Sequence, residues 1–169
     1  MSDASADVEL PLTGGCNCGA VRFEIDEPLV SAVYCHCTRC QRRTGSGAAA
    51  TGSVAEGSMR VVRGEDELRG WKPQDGWEKV FCGACGSALF TRDPEDGRIR
   101  GVRLGSFDGD PGVRPRAHQF VAYAAPWRPS PTTGCRASLR RPRAETAPTS
   151  ARRRAGGIGS TGPRASRRV

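Results

Sequence analysis

Cys35-His36-Cys37-Thr38-Arg39-Cys40 is the stretch on which the fold turns. Two further clusters accompany it: Cys16-Asn17-Cys18 after Gly14-Gly15, and Cys82-Gly83-Ala84-Cys85 before Gly86. Cysteines one or two residues apart in a tight turn present both sulfurs to one side, a spacing that suits a zinc ion. These seven thiols divide naturally as four plus three. Four thiolates close a tetrahedral structural site, whereas three leave one position open, as in a catalytic site. Cys35, Cys37 and Cys40 are close enough in sequence to cap one ion alone. The pairs Cys16/Cys18 and Cys82/Cys85 then form the four-thiolate site and staple distant strands. A second partition joins Cys37/Cys40 to Cys82/Cys85 as a zinc ribbon. The stretch between those pairs is 41 residues, against roughly 15–20 in that module. A third reading has two structural zincs, with His36 completing the second site. Alternation along an extended segment points residue 36 away from residues 35 and 37, which counts against it. Seven buried thiols without metal are the plainest alternative, and compact clusters at strand ends oppose it.

The segments around the cysteines read as short strands. Ala20-Val21-Arg22-Phe23-Glu24-Ile25 alternates apolar and polar residues and stops at Glu27-Pro28. Leu29–Tyr34, Met59–Arg63, Trp77–Phe81, Ala88–Thr91, Ile99–Leu104 and His118–Tyr123 complete the set, punctuated by Gly and Asp/Pro clusters. Thr38–Arg43 is the one candidate for a helical turn or two. The expected class is mainly β, a sandwich or barrel-like domain of short strands.

Three zones divide the chain. Residues 1–11 form a polar, flexible lead-in, and residues 12–127 the zinc-binding domain, with all ten aromatics. Residues 128–169 contain no Phe, Tyr or Trp and are expected to be a disordered Arg-rich tail. The chain of 169 residues carries a formal net charge of +8, which suggests nucleic acid. The distribution removes that signal. Residues 1–127 hold 15 Lys/Arg and 17 Asp/Glu, for a net of −2. Residues 128–169 hold 11 Arg and one acid, for +10. That tail has the composition of a GC-rich gene read in a shifted frame, and the domain itself has no basic face for nucleic acid. Cys135 lies in the tail without a partner cluster and receives no role.

No stretch approaches the roughly 18 apolar residues of a membrane span. The acidic N-terminus lacks the basic and apolar regions of a signal peptide. A cytoplasmic, reducing location follows, where clustered thiols bind metal rather than pair as disulfides.

An ordered set of motifs runs through the domain. It comprises Gly14-Gly-Cys-Asn-Cys-Gly19, Val21-Arg-Phe-Glu24, Cys35-His-Cys-Thr-Arg-Cys-Gln-Arg-Arg-Thr-Gly-Ser46, Phe81-Cys-Gly-Ala-Cys-Gly-Ser87, Gly105-Ser-Phe-Asp108, Pro115-Arg-Ala-His118 and Ala125-Pro-Trp127. From about Leu12 to Trp127 the chain resembles the glutathione-dependent formaldehyde-activating enzyme family, which includes centromere protein V. The resemblance implies a β-tent zinc fold. It also implies a structural zinc on Cys16, Cys18, Cys82 and Cys85 and a catalytic zinc on Cys35, Cys37 and Cys40. The implied reaction is that of a carbon–sulfur lyase, joining glutathione and formaldehyde reversibly into S-hydroxymethylglutathione. Arg39, within the three-cysteine stretch, and Arg42 and Arg43, just past it, are candidates to pair with glutathione carboxylates. His118 reads as a hydrogen-bonded structural histidine, Thr44-Gly45-Ser46 as a loop-shaping turn, and Trp71, Trp77 and Trp127 as packing residues. The alternative from another class is a zinc-stabilised binding module whose basic tail contacts nucleic acid.

Overall fold

The computed structural model describes residues 8–128 and 136–138. Its elements are strands β1 (Leu12–Gly15), β2 (Arg22–Ile25), β3 (Ser31–Cys35), β4 (Ala49–Ser53), β5 (Met59–Arg63), β6 (Leu68–Trp71), β7 (Glu78–Cys82), β8 (Ala88–Arg92), β9 (Ile99–Arg103), β10 (Ala117–Gln119) and β11 (Arg136–Ser138), with one α-helix, α1 (Thr38–Thr44). The helix forms where expected. Cys37 caps it by accepting a hydrogen bond from the Cys40 N–H, and Gly45 ends it in a left-handed conformation.

Two sheets result. A three-stranded sheet has the order β1-β2-β5, and an eight-stranded sheet the order β11-β10-β3-β4-β9-β8-β7-β6. All pairings are antiparallel except β10 with β3 and β10 with β11. The expected mainly β class is therefore the observed one.

Strand register sorts the residues of the large sheet between two faces, because side chains alternate and cross-strand partners share a face. Val80, Phe90, Val102, Gly52 and Ala32 are linked partner to partner. This face meets Val21, Phe23 and Ile25 of the small sheet and its edge, all fully buried, to make the main core. Phe23 also meets Phe107 edge to face, with ring centroids 5.6 Å apart. The other face runs through Cys35, Ala49, Thr51, Arg103, Gly101, Thr91 and Lys79. Helix α1 covers part of it, donating from Arg43 Nη2 to the Val80 carbonyl at 2.6 Å. One face thus supplies cohesion and the other carries Cys35.

Several details depart from the sequence reading. Val8 packs against the core, so order extends into the lead-in expected to be flexible; residues 1–7 lie outside the described residues. The expected strand His118–Tyr123 stops at Gln119, because Phe120 takes a left-handed conformation (φ 59°) and Val121–Tyr123 coils into a 3₁₀ turn. Strands β1, β4 and β6 were without a sequence signal: they read LTGG, AATGS and LRGW, with little apolar alternation. Strand β11 falls within the segment expected to be disordered, pairing in parallel with β10 through backbone groups, which need no apolar side chains. The rest of that segment, Cys135 included, lies outside the described residues.

Candidate metal centres and active site

Two cysteine groups assemble, one at the end of β7 and the other at the end of β3. Cys16, Cys18, Cys82 and Cys85 bring their sulfurs within 4.8 Å of one another, and so do Cys35, Cys37 and Cys40. All seven are free thiols. Among the described residues no zinc-ribbon grouping of Cys37 and Cys40 with Cys82 and Cys85 occurs.

The four-cysteine group is made by two similar turns. After β1, Gly19 N–H donates to the Cys16 carbonyl at 3.1 Å; after β7, Gly86 N–H donates to the Cys82 carbonyl at 2.8 Å. Gly19 and Gly86 adopt φ of 76° and 75°, a left-handed conformation that glycine takes without strain. One pair of cysteines thus leaves the small sheet and the other leaves the large one. The junction is reinforced where Asn17 N–H donates to Ser87 Oγ at 3.0 Å and Ser87 Oγ contacts Cys85 Sγ at 3.2 Å.

Sulfur spacing tests the fit to a metal. A tetrahedral ion with metal–sulfur bonds of about 2.3 Å holds its sulfurs about 3.8 Å apart. Cys16–Cys18 measures 3.5 Å, Cys18–Cys82 3.9 Å and Cys35–Cys37 3.6 Å. Both groups therefore match the donor chemistry and the edge length of a tetrahedral thiolate site. Backbone N–H groups already point at the sulfurs, as thiolates require: Val21 N to Cys16 Sγ at 3.2 Å, and Cys40 N to Cys37 Sγ at 3.4 Å.

Proton affinities within each group are split. In the first, hydrogen bonds from Ser87 draw the Cys85 thiol down to about 5. Cys18 is drawn down by Ala20 N–H, but bonding to Cys16 and Cys85 overrides this and pushes it up to about 12. In the second, hydrogen bonds from Cys35 and Cys37 pull Cys40 down to about 2, with Arg103 and Lys79 adding to the effect. Cys35 is pushed up by the same bonding and by burial. Crowded thiols cannot all ionise alone; a divalent cation removes that conflict.

The three-cysteine group differs in architecture. Its ligands come from one short segment, the end of β3 and the first turn of α1. No fourth Cys, His, Asp or Glu joins it among the described residues. His36 is turned away: its Nε2 lies 2.7 Å from His118 Nδ1, with both rings buried at 0% and 6% exposure. Burial depresses the proton affinity of both histidines. His118 stacks on Tyr34, at 5.2 Å between centroids, as a buried, hydrogen-bonded residue.

The three arginines separate. Arg39 is bound to Asp75, with Nη2–Oδ1 at 2.5 Å. Arg42 is exposed. Arg43 alone turns inward, toward Val80 and Arg103. Of the turn that follows, Thr44 and Ser46 line a cleft of about 630 Å³ that also reaches Cys16, Cys85 and Arg103. Ala49 joins this cleft to the three-cysteine group, packing on Cys35 and Cys40. Trp71, Trp77 and Trp127 lie largely at the surface rather than in the core. Two cations of the site, Lys79 and Arg103, carried no sequence signal, since only strand register brings them to the cysteines.

The sequence profile described as glutathione-dependent formaldehyde-activating enzyme matches residues 11–123. The chain belongs to this family. The matched span takes in both cysteine groups and the residues that shape them. A Halomonas elongata protein, whose name assigns it the same activity provisionally, is 29% identical over 123 residues, covering 69% of this chain and 78% of its own. A crystal structure of a Rhodobacter sphaeroides protein matches at 30% identity, over 58% of this chain and 89% of that one, with a TM-score of 0.45. No helix among the described residues is long and apolar enough to cross a membrane.

Proposed function

We propose that the protein is a two-zinc carbon–sulfur lyase of the cytoplasm, acting on a small thiol–aldehyde adduct such as S-hydroxymethylglutathione. The observation that carries this reading is the three-sulfur group, joined by no fourth Cys, His, Asp or Glu among the described residues, in a chain of this family. Cys16, Cys18, Cys82 and Cys85 would hold a structural zinc that clamps the two sheets. Cys35, Cys37 and Cys40 would hold the second zinc with one position left for substrate. When bound there, zinc keeps an incoming thiol ionised near neutral pH.

The remaining chemistry lies with the substrates and the chain. The thiolate sulfur adds to the aldehyde carbon, forming the C–S bond. The C=O π pair moves to oxygen, which takes up a proton equivalent to the one the thiol released. The reverse reaction returns thiol and aldehyde. His36, held on His118, would not serve as a fourth ligand, which would leave that position to substrate. Ala49 lines the cleft and packs on Cys35 and Cys40, so the cleft would offer the reactants an approach to that group; positioning of two reactants supplies several kcal/mol of such a barrier, about 7 at the low end of well-oriented systems.

The test is turnover of zinc-loaded protein against a panel of thiol–aldehyde adducts, with the uncatalysed rate subtracted. Acceleration for at least one adduct is expected. Uncatalysed rates throughout, with both zincs bound, would refute the proposal.

A further inference from the structure

Gln41 of α1 ties the three-cysteine group to chain 82 positions further on. Its side-chain Nε2 carries two N–H donors, and each meets a backbone carbonyl, that of His36 at 2.5 Å and that of Tyr123 at 2.7 Å. Two carbonyl acceptors fix which way the amide faces, since its own oxygen donates nothing. The Gln41 backbone N–H donates in turn to the Cys37 carbonyl at 3.0 Å. One residue therefore holds the carbonyls on either side of the Cys37 α-carbon.

These carbonyls matter because His36 separates two ligands. The Cys35 and Cys37 sulfurs are 3.6 Å apart, whereas α-carbons two residues apart in extended chain are separated by about 6.5 Å. The convergence of the sulfurs thus depends on the backbone torsions at residue 36. Its N–H is held by the carbonyl of Gln119, the last residue of β10, at 2.9 Å, and its carbonyl is held by Gln41. Phe120, next in the chain, packs on the cluster of Cys35 and Cys40. The segment 119–123 backs the group, and Gln41 joins that segment to the strand end bearing Cys35 and to the helix bearing Cys40. Helix α1 has seven residues, too few to persist without tertiary ties, so the place of Cys40 depends on such contacts.

We propose that Gln41 is the positioning residue of the three-cysteine group: it holds Cys35, Cys37 and Cys40 in ligating geometry before the metal arrives, and so sets the metal affinity of that group and not of the other. This rests on the reading of Cys35, Cys37 and Cys40 as a metal site. A ligand loop that orders only on binding loses affinity by the entropy of its ordering. Gln41 removes that loss by ordering the loop in advance. A role confined to the stability of α1 would lower Tm and leave the affinity alone.

The test is a cobalt(II) titration of the full chain against a competing chelator, with Cys37→Ser as the reference for the four-cysteine group alone. The absorption of wild type less that of Cys37→Ser reports the three-cysteine group. Gln41→Met keeps the length of the side chain and has no donor; Gln41→Glu keeps its shape and sets a carboxylate against the two carbonyls. In both, the cobalt Kd of the three-cysteine group is expected to rise by about tenfold or more, the range for loss of a partner just outside the ligands. The Kd of the four-cysteine group should stay at the wild-type value. Circular-dichroism melts establish folding, and Gln41 is only partly buried, so both variants are expected to fold. A folded variant whose Kd at the three-cysteine group stays within about twofold of wild type would overturn the proposal. So would equal weakening of both groups, or failure of both variants to fold, since Gln41 would then serve the whole fold. A wild-type cobalt spectrum identical to that of Cys37→Ser would overturn instead the reading of the three cysteines as a metal site.

Discussion

Replacing Cys82 by serine separates the two cysteine groups by their mechanical roles. Cys82 is fully buried and ends β7, opposite the turn that leaves β1. Structural zinc supplies on the order of 10 kcal/mol or more of apparent folding energy over four ligands, so one ligand is worth about 3 kcal/mol. A serine hydroxyl buried at this point adds about 1–2 kcal/mol for imperfect hydrogen bonding. The total of about 4–5 kcal/mol is a large share of the stability of a domain this size, and corresponds to a fall in Tm of roughly 15–20 °C. Cys37→Ser makes the comparison. Its group lies within one segment, Cys35 to Cys40, and clamps no sheets together, so Tm should fall by less than about 5 °C, or roughly 1 kcal/mol. Circular-dichroism melts and metal analysis of both variants decide the matter. Cys82→Ser should lose one metal and much stability; Cys37→Ser should lose one metal and little stability. Equal Tm losses, or a Cys82→Ser Tm within a few degrees of wild type, would refute the division of labour.

Three further outcomes follow from the packing. A Cβ at Gly14 would lie 2.4 Å from both Phe23 Cζ and the Ser106 carbonyl oxygen, so Gly14→Ala should lower the unfolding free energy by about 1–3 kcal/mol in urea denaturation. His118→Phe strips His36 Nε2 of its partner in a buried setting; a loss of about 1–3 kcal/mol is expected with metal content unchanged. Arg22 and then Thr13 hold the Asp108 carboxyl below its ordinary range. That contribution to stability is present above about pH 4 and lost as pH falls through the lower folded value. Asp108→Asn should therefore be less stable than wild type at pH 6, by under about 1 kcal/mol because the pair is exposed, and the gap should close in strongly acidic buffer.

The cysteine groups were legible because their spacing encodes local geometry: a sulfur two or three residues from another is forced into one turn. Helix α1 was legible for the same reason, and so were the strands with clear alternation, such as Arg22–Ile25 around Phe23. Strands β1 and β4 were not, since Gly14, Gly15 and Gly52 are there for close approach rather than for apolar burial. The end of β10 was missed because Phe120 bends the chain in a conformation that side chains rarely adopt. The site's cations illustrate the sharper limit. Proximity in sequence drew attention to Arg39 and Arg42, which face Asp75 and solvent. Lys79 and Arg103 lie 39 and 63 positions beyond Cys40 and join its surroundings only through the pairing of β7, β8, β9 and β4.

The central claim is that the Cys35–Cys37–Cys40 group performs the chemistry while the other group holds the fold. The most direct test is the exchange rate between glutathione plus formaldehyde and S-hydroxymethylglutathione, followed by NMR for wild type and Cys37→Ser at equal folded concentration. Wild type should exceed the uncatalysed rate and Cys37→Ser, folded and retaining one zinc, should return to it. A Cys37→Ser protein that lacks the second metal yet exchanges at the wild-type rate would contradict the claim.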